Sequence, residues 1–486
     1  MNRNKLTIIK APPGLGKSRA YIEYALSEEK CSKVVVVPTN NLKDQIYEDA
    51  VKKYGTYNFM KTPALPTFKV AEIQEKVENY YKMGLHSAVK KYLYKKKKEI
   101  EEKEKITSKE KVDLDNINYY LEQNKLINKF EGNVITTHDR LYYFSKKFLD
   151  THKIIIDEDI IKSTLKITKI SMKDLLSFNC KDYELYSKFQ NRIMQITDAD
   201  YEKTTQLIEN VVTESKIIKE IEDDVYDFDL MCVFNAKALW KYNPKKEVME
   251  NFKNVKDNAK ETVLPNSSDE IYFLEVKPFP NYDIVLFSAT VEEKFYKMLF
   301  WNFDVNVLDV GNVRLLGKIK QFPSTSCSRY DLKIHEDKFK SIRKKYPKIK
   351  NKEVISFKQF NSTEEALNFG NTEGKNHLEG KDLLIIGTPH YNEAVYKLYA
   401  YAIDKYANDY SNEQMRYQEI EYNNCKFWFN TYDNKLLRDI QLWLINTELE
   451  QAVGRARLLR NDCTVYLYSN LPIKQAEFLY EDKKEV

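Results

Sequence analysis

A short apolar run, Leu6–Ile9, leads into Ala11-Pro12-Pro13-Gly14-Leu15-Gly16-Lys17-Ser18, and a helical pattern opens directly behind it over Ser18–Glu29. This segment constrains the fold more than any other. It follows G-x-x-x-x-G-K-[ST], with Ala11 at the first glycine position. Gly14 and Gly16 carry no Cβ, so the backbone there can turn sharply and aim N–H groups at one anion. The helix N-terminus behind them adds its own free N–H groups and dipole. The pattern assigns nucleotide phosphates to Pro13, Gly14, Leu15, Gly16, Lys17 and Ser18. Lys17 would bind the β- and γ-phosphates, and Ser18 would ligand Mg²⁺.

Glycine is otherwise rare: 12 in 486 residues, where average usage of about 7% would give roughly 34. Turn-dense propellers and sandwiches are therefore disfavoured. Hydrophobic residues make up 42% and aromatics 13%, which argues against wholesale disorder. The length predicts about two to four folded units. Lys plus Arg exceeds Asp plus Glu by five, 78 against 73, so any basic surface is a local groove. The six cysteines are scattered, with no CxxC or Cys/His cluster to suggest zinc or iron–sulfur. With neither a leader-like segment nor an apolar run near the ~18 residues of a membrane span, a soluble, intracellular protein with no membrane partner is expected.

Along the chain, buried-strand runs recur at Val34–Val37, Val134–Thr136, Ile154–Ile156 and Ile284–Phe287, then at Val354–Phe357, Leu383–Ile386 and Thr464–Tyr468. A helix over Leu42–Lys53 follows the second. Continuous apolar strands alternating with helices predict an α/β fold with parallel sheets covered on both faces. Two stretches break the rhythm. Residues 63–129 include the Lys/Glu-dense Lys91–Lys105 and suggest a solvated helix or helical hairpin. Residues 161–280 are mostly helical in pattern, with a polar break at Pro265–Glu270. Both are expected as helical insertions into a first sheet domain made of 1–62, 130–160 and 281–310, with 311–486 as the second.

A phosphate loop needs a carboxylate from another strand. Lys153-Ile154-Ile155-Ile156-Asp157-Glu158 places two acids at the end of a buried run. Asp157 would hold Mg²⁺, and Glu158 would orient and polarise the attacking water.

Together these segments resemble a superfamily 2 helicase-type ATPase, whose motifs recur here in the family's order. Pro38-Thr39-Asn40-Asn41-Leu42-Lys43-Asp44-Gln45 resembles its motif Ia, and Val134-Ile135-Thr136-Thr137-His138 a second strand-contacting motif. Asp157-Glu158-Asp159-Ile160 stands at the DExD/H box, departing from it at Ile160. Ser288-Ala289-Thr290 matches the motif that links ATP state to nucleic-acid contact. Gln451-Ala452-Val453-Gly454-Arg455-Ala456-Arg457 resembles motif VI. The two gaps are placed as in the XPD/DinG-like branch, and Glu373–Gly380, with Asn376 where an aspartate is usual, looks like its motif V. The first gap has no cysteine, so the four-cysteine iron–sulfur cluster typical of XPD is not expected.

The resemblance implies two RecA-like domains, with ATP and Mg²⁺ in the cleft between them. Lys17, Asp157, Glu158, Gln451, Arg455 and Arg457 would be catalytic. Ser288, Ala289, Thr290, Gly374 and Asn376 would couple the cleft to the strand. Thr39, Asn40, Thr136, Thr137 and His138 would contact nucleic acid, with Ser356, Lys358 and Gln359 as second-domain candidates. The expected partner is single-stranded or tailed duplex nucleic acid, DNA ahead of RNA. Three activities are compatible with these residues: a helicase or translocase, a nucleic-acid-stimulated ATPase switch that does not unwind, and a scaffold that binds nucleotide without turnover. The intact Lys17, Ser18, Asp157, Glu158 and Arg455 count against the scaffold.

Overall fold

The computed structural model describes residues 4–26, 31–55, 58–208, 212–220, 226–243, 268–311, 313–361, 366–372, 377–404, 406 and 408–480. Its centre is a seven-stranded sheet in which every pairing is parallel. From one edge to the other the strands run Asp304–Asp309, Lys5–Lys10, Ile284–Ser288, His152–Asp157, Ser32–Val37, Asn133–Thr137 and Phe59–Lys61. Val34, Val35, Val36, Ile154, Ile155 and Ile156 are fully buried, as β-branched runs covered on both faces should be. The order sets three adjacent strand ends side by side: Lys10 before the glycine turn, Ser288, and Asp157. Open parallel sheets bind ligands at such carboxyl ends.

A second parallel sheet runs Val354–Ile355, Leu383–Ile386, Thr464–Tyr468, Lys318–Gln321 and Glu477–Phe478. The α/β expectation therefore holds in both halves. The strand expected over Val354–Phe357 is shorter, because Ser356 leaves the ladder for an isolated bridge to Asn368. Across the sheet face lies the helix Lys435–Gly454, whose Asn434 side chain accepts from Leu436 and Leu437 N–H. A hairpin, Met415–Tyr422 with Cys425–Tyr432, precedes it. Its turn residues Asn423 and Asn424 both take positive φ, 51° and 60°, the conformation a two-residue hairpin loop requires.

Residues 63–129 form the helices Ala71–Lys82, His86–Glu101 and Ser108–Ile127. Thr107 and Glu110 close a capping box on the last of these. Residues 161–280 contain five helices among those described, yet they also build a four-stranded antiparallel sheet. It runs Leu165–Ser171, Glu270–Val276, Ala238–Tyr242 and Thr204–Gln206. The helical reading of this segment did not include that sheet. Up to residue 267, the polar break expected at Pro265–Glu270 lies outside the described residues.

The two segments also do not stand apart. Ile73, Leu93 and Ile117 of the first share one apolar core with Met172, Phe189, Phe234 and Phe273 of the second. Met231 N–H donates to Met83 O across that junction at 3.2 Å. A further continuous core joins the first sheet, through Leu286 and Phe295, to Trp240 and Leu274 of the antiparallel sheet. It continues to Ala394 and Leu398 of the helix Glu393–Ile403 and to Trp443 of the helix that crosses the second parallel sheet. No helix among the described residues is long and apolar enough to cross a membrane.

Candidate nucleotide site

Gly14 and Gly16 take φ of 89° and 97°, in the left-handed region that costs other residues strain. Gly16 is the N-cap of the helix Lys17–Ala25. Ala11 N–H donates to Ser288 O at 3.0 Å, which ties the start of the turn to the neighbouring strand end. The ammonium of Lys17 lies 3.3 Å from Glu158 Oε1 and 3.5 Å from Ala11 O. The lysine thus already spans the distance between the turn and the acid strand.

Asp157 is buried at the end of its strand. The hydroxyl of Tyr21, one helical turn after Ser18, donates to its Oδ2 at 3.2 Å. Oδ1 is buried and has no hydrogen-bond partner among the described residues. Burial and, after it, the adjacent Glu158 charge push the Asp157 carboxyl up to about 7; Lys17 and Arg457 act in the opposite direction. A buried aspartate with an orphaned oxygen, lining one cleft with Ser18 and the partly exposed Glu158, fits a divalent cation. Glu158 has a φ of 68° and its N–H donates to Phe287 O at 2.7 Å. A non-glycine residue held in this region is strained, and such strain concentrates at functional sites. Asp159 Oδ1 accepts from Tyr296 OH at 2.8 Å and from Ile161 N–H at 2.9 Å, so this acid is held inward.

The opposite wall comes from the C-terminal end of Lys435–Gly454 and the turn beyond it. Gly454 lies against Pro13: a Cβ there would come within 3.1 Å of the proline Cβ, tighter than most side chains tolerate. Gln451, Arg455, Arg457 and Arg460 line a cleft of about 330 Å³ with Gly14, Gly16, Lys17, Ser18, Asp157 and Glu158. Arg455 Nε donates to Gln451 O at 3.2 Å, and Arg457 has a φ of 54°. Leu15 is exposed and is not among the lining residues, whereas the other expected phosphate, acid and arginine residues meet in one place. A second cavity of about 170 Å³ adjoins this cleft at Pro13, Ala289 and Thr290.

The remaining expected residues divide. Thr39 caps the helix Asn40–Tyr54 by accepting from Leu42 N–H at 3.2 Å, and Asn40 Oδ1 accepts from Lys43 at 2.8 Å. Thr137 is only partly buried at its strand end. Thr136 and His138 are corrections to the strand-contact reading. Thr136 is fully buried against Thr62 Oγ1 at 3.1 Å. His138 is buried with Nε2 2.8 Å from Asp157 O, and burial pushes its pKa down to about 4. Both side chains are used inside the fold. Ser356 is likewise buried, donating to Ile386 O at 2.6 Å, while Lys358 and Gln359 are exposed. Ser288 is buried, with its Oγ accepting from Thr290 N–H at 3.3 Å. Gly374 and Asn376 lie outside the described residues.

The sequence reading missed the residues that join the two walls. Trp443 Nε1 donates to Thr290 O at 3.0 Å. Lys294 pairs with Asp439 at 2.5 Å, and Lys162 with Glu448 at 2.6 Å. Burial alone would push the Lys162 ammonium down and the Glu448 carboxyl up. Tyr391 and Glu448 beside the lysine, and Lys162 beside the glutamate, more than offset it, so both are held charged. Tyr21 lies at i+3 from Ser18, a spacing that puts both on one helix face.

No protein-family model matches the chain, and no curated protein matches it. Among solved structures, it is similar to an XPD protein without ligand, at 15% identity and a TM-score of 0.48 over 98% of this chain and 97% of that one. It is also similar to Xpd4 of S. tokodaii, at 12% identity and a TM-score of 0.43, covering 98% and 96% of the two chains. A DEAD box protein from Methanococcus jannaschii matches at 8% identity and a TM-score of 0.25, over 96% of this chain and 83% of that one.

Proposed function

We propose that this chain is an ATP-hydrolysing motor that works on nucleic acid, a helicase or translocase with ATP held between its two parallel-sheet halves. One observation carries the reading: Lys17, Asp157 and Glu158 from the first half face Gln451, Arg455 and Arg457 from the second in a single cleft. Pro13, Gly14 and Gly16 line the phosphate path, with Leu15 completing the turn between the two glycines. Ser18 and Asp157 would hold Mg²⁺, which when bound would withdraw charge from the phosphate oxygens.

The Lys17 ammonium is paired with Glu158. Incoming phosphates take over the ammonium and release the carboxylate, which then orients the attacking water and accepts its proton. Arg455 and Arg457 meet the charge that develops on the transferred phosphoryl group. Ser288, Ala289 and Thr290 carry the change to the nucleic-acid face, where Thr39, Asn40 and Thr137 contact the backbone of a single strand. Gly374 and Asn376 are further coupling residues on this reading.

The test is ATP turnover with single-stranded DNA, single-stranded RNA or duplex, followed by unwinding of oppositely tailed duplexes. Single-strand-stimulated turnover with displacement of one tailed substrate is expected, and DNA is the preferred strand. Absence of stimulated turnover with every nucleic acid overturns the reading. A second reading, an ATPase switch that remodels without unwinding, is favoured by the continuous apolar core that joins the halves, because such a core restrains their opening. Stimulated turnover without displacement from any tailed duplex selects it.

A further inference from the structure

Glu448 is buried two turns before Arg455 on the helix Lys435–Gly454, and it is shared by three separate segments. Its Oε1 accepts from Lys162 at 2.6 Å and from Tyr391 OH at 2.8 Å, and its Oε2 accepts from Gly370 N–H at 2.8 Å. Lys162 also reaches Tyr391 OH at 3.2 Å. Lys162 follows Glu158 by four positions. The pair therefore links the loop that presents the acids to the helix that presents the arginines. Glu448, Gln451 and Arg455 are spaced i, i+3 and i+7, which places them along one helix face.

We infer that Lys162 and Glu448 form an interdomain latch of positioning residues that fixes the reach of Gln451 and Arg455 toward Glu158. The inference rests on the ATPase reading above and adds to it residues that never touch nucleotide. Neither side chain enters the phosphate cleft, so the pair acts through the helix. Losing one partner leaves the helix attached to the first half at Lys294–Asp439 and Thr290–Trp443 but removes the polar tie nearest its arginine end. Transition-state contacts then suffer more than nucleotide binding.

The test uses the full chain and the variants Lys162→Met, Glu448→Gln and the two combined, with Lys162→Arg as the conservative control. Glu448→Gln keeps one acceptor oxygen for Gly370 N–H, while its NH2 group can donate to the Tyr391 hydroxyl, which guards the fold. With ATP and saturating oligo-dT, each single variant is expected to lower kcat by about tenfold while KM for ATP stays within about twofold. The combined variant should be no slower than the slower single, because both remove one interaction. Lys162→Arg should recover most of the rate. Independent losses that multiply to about 100-fold, or single variants with unchanged kcat, overturn the latch.

A second measurement does not depend on turnover. Spectroscopic labels carried by unnatural residues at the exposed positions Glu48 and Lys340 report the distance between the two halves. A distribution that broadens equally in both single variants and in the combined one supports the latch. An unchanged distribution overturns it. A wild-type chain with no turnover but latch-dependent broadening would sink the ATPase reading alone.

Discussion

The indole nitrogen of Trp443 donates to the backbone carbonyl of Thr290 at 3.0 Å, so the helix bearing the arginines is hydrogen-bonded to the strand end beside the glycine turn. The indole also packs 5.1 Å from the Phe295 ring. Trp443→Phe keeps most of the packing and removes the donor. The expected cost is about 1 kcal/mol in denaturant unfolding, together with a lower kcat at unchanged ATP affinity. Unaltered stability and turnover would show the bond to be incidental.

Lys17 and Glu158 should separate binding from chemistry. Lys17→Ala is expected to weaken binding of a fluorescent ATP analogue. Glu158→Gln should retain that binding and lose turnover by on the order of 100-fold or more. Wild-type turnover in Glu158→Gln would remove Glu158 from the attacking-water role.

Arg455→Ala is expected to lower kcat by about 100-fold or more, with ATP affinity within a few-fold, since its contact strengthens as charge develops. Steady-state kinetics with equilibrium nucleotide binding decide this. A loss confined to affinity would make Arg455 a ground-state phosphate contact.

Asp113 is fully buried, and its two oxygens accept from Lys69 N–H at 2.7 Å and Val70 N–H at 2.8 Å, at the start of the helix Ala71–Lys82. Asp113→Ala leaves both donors unpaired and should cost about 2 kcal/mol. Limited proteolysis should then cut sooner within residues 63–129, while affinity for the ATP analogue stays at the wild-type value. Equal loss of nucleotide binding would contradict the separation of that segment from the cleft.

His390 stacks on Phe429 at 5.1 Å, and burial pushes its pKa from the ordinary 6.5 down to about 4. Above pH 6.5 the ring is neutral in both states and carries no penalty. Between 6.5 and about 4 the unfolded chain takes up the proton first, so stability falls as pH falls and levels off below 4. His390→Phe keeps a stacking ring and cannot titrate. Melting temperatures from pH 7 to 4.5 should therefore decline less steeply in the variant, the difference reaching on the order of 2 kcal/mol at the acid end. Parallel curves would refute the linkage.

The sheet strands were legible because a buried parallel strand writes itself as an uninterrupted apolar run, as at Val34–Val37 and Ile154–Ile156. Lys17 and its glycines were legible because the turn demands those residue types in that spacing. The antiparallel sheet was not legible, because in Leu165–Ser171 the alternation breaks at Lys169, and Leu165 and Ile170 pack from opposite faces into two different cores. The turn Asn423–Asn424 does carry a local hairpin signal, since asparagine tolerates the positive φ that both positions adopt. Glu448 was illegible for a different reason. Its importance comes from Lys162, Tyr391 and Gly370, contacts far along the chain that leave no local mark. Thr136 and His138 were misread because position at a strand end does not say whether a side chain points outward or into the fold.

The common core of residues 63–129 and 161–280 gives those segments a mechanical identity. Each is an excursion from the first sheet, one returning through Asn133–Thr137 and the other departing after His152–Asp157. Since their interiors are merged, neither can be displaced alone, and a load applied to one is borne by both roots. One root is the strand that ends in Asp157 and Glu158. Tension on this double-rooted body would therefore arrive at the acid pair directly, without first passing through the second sheet.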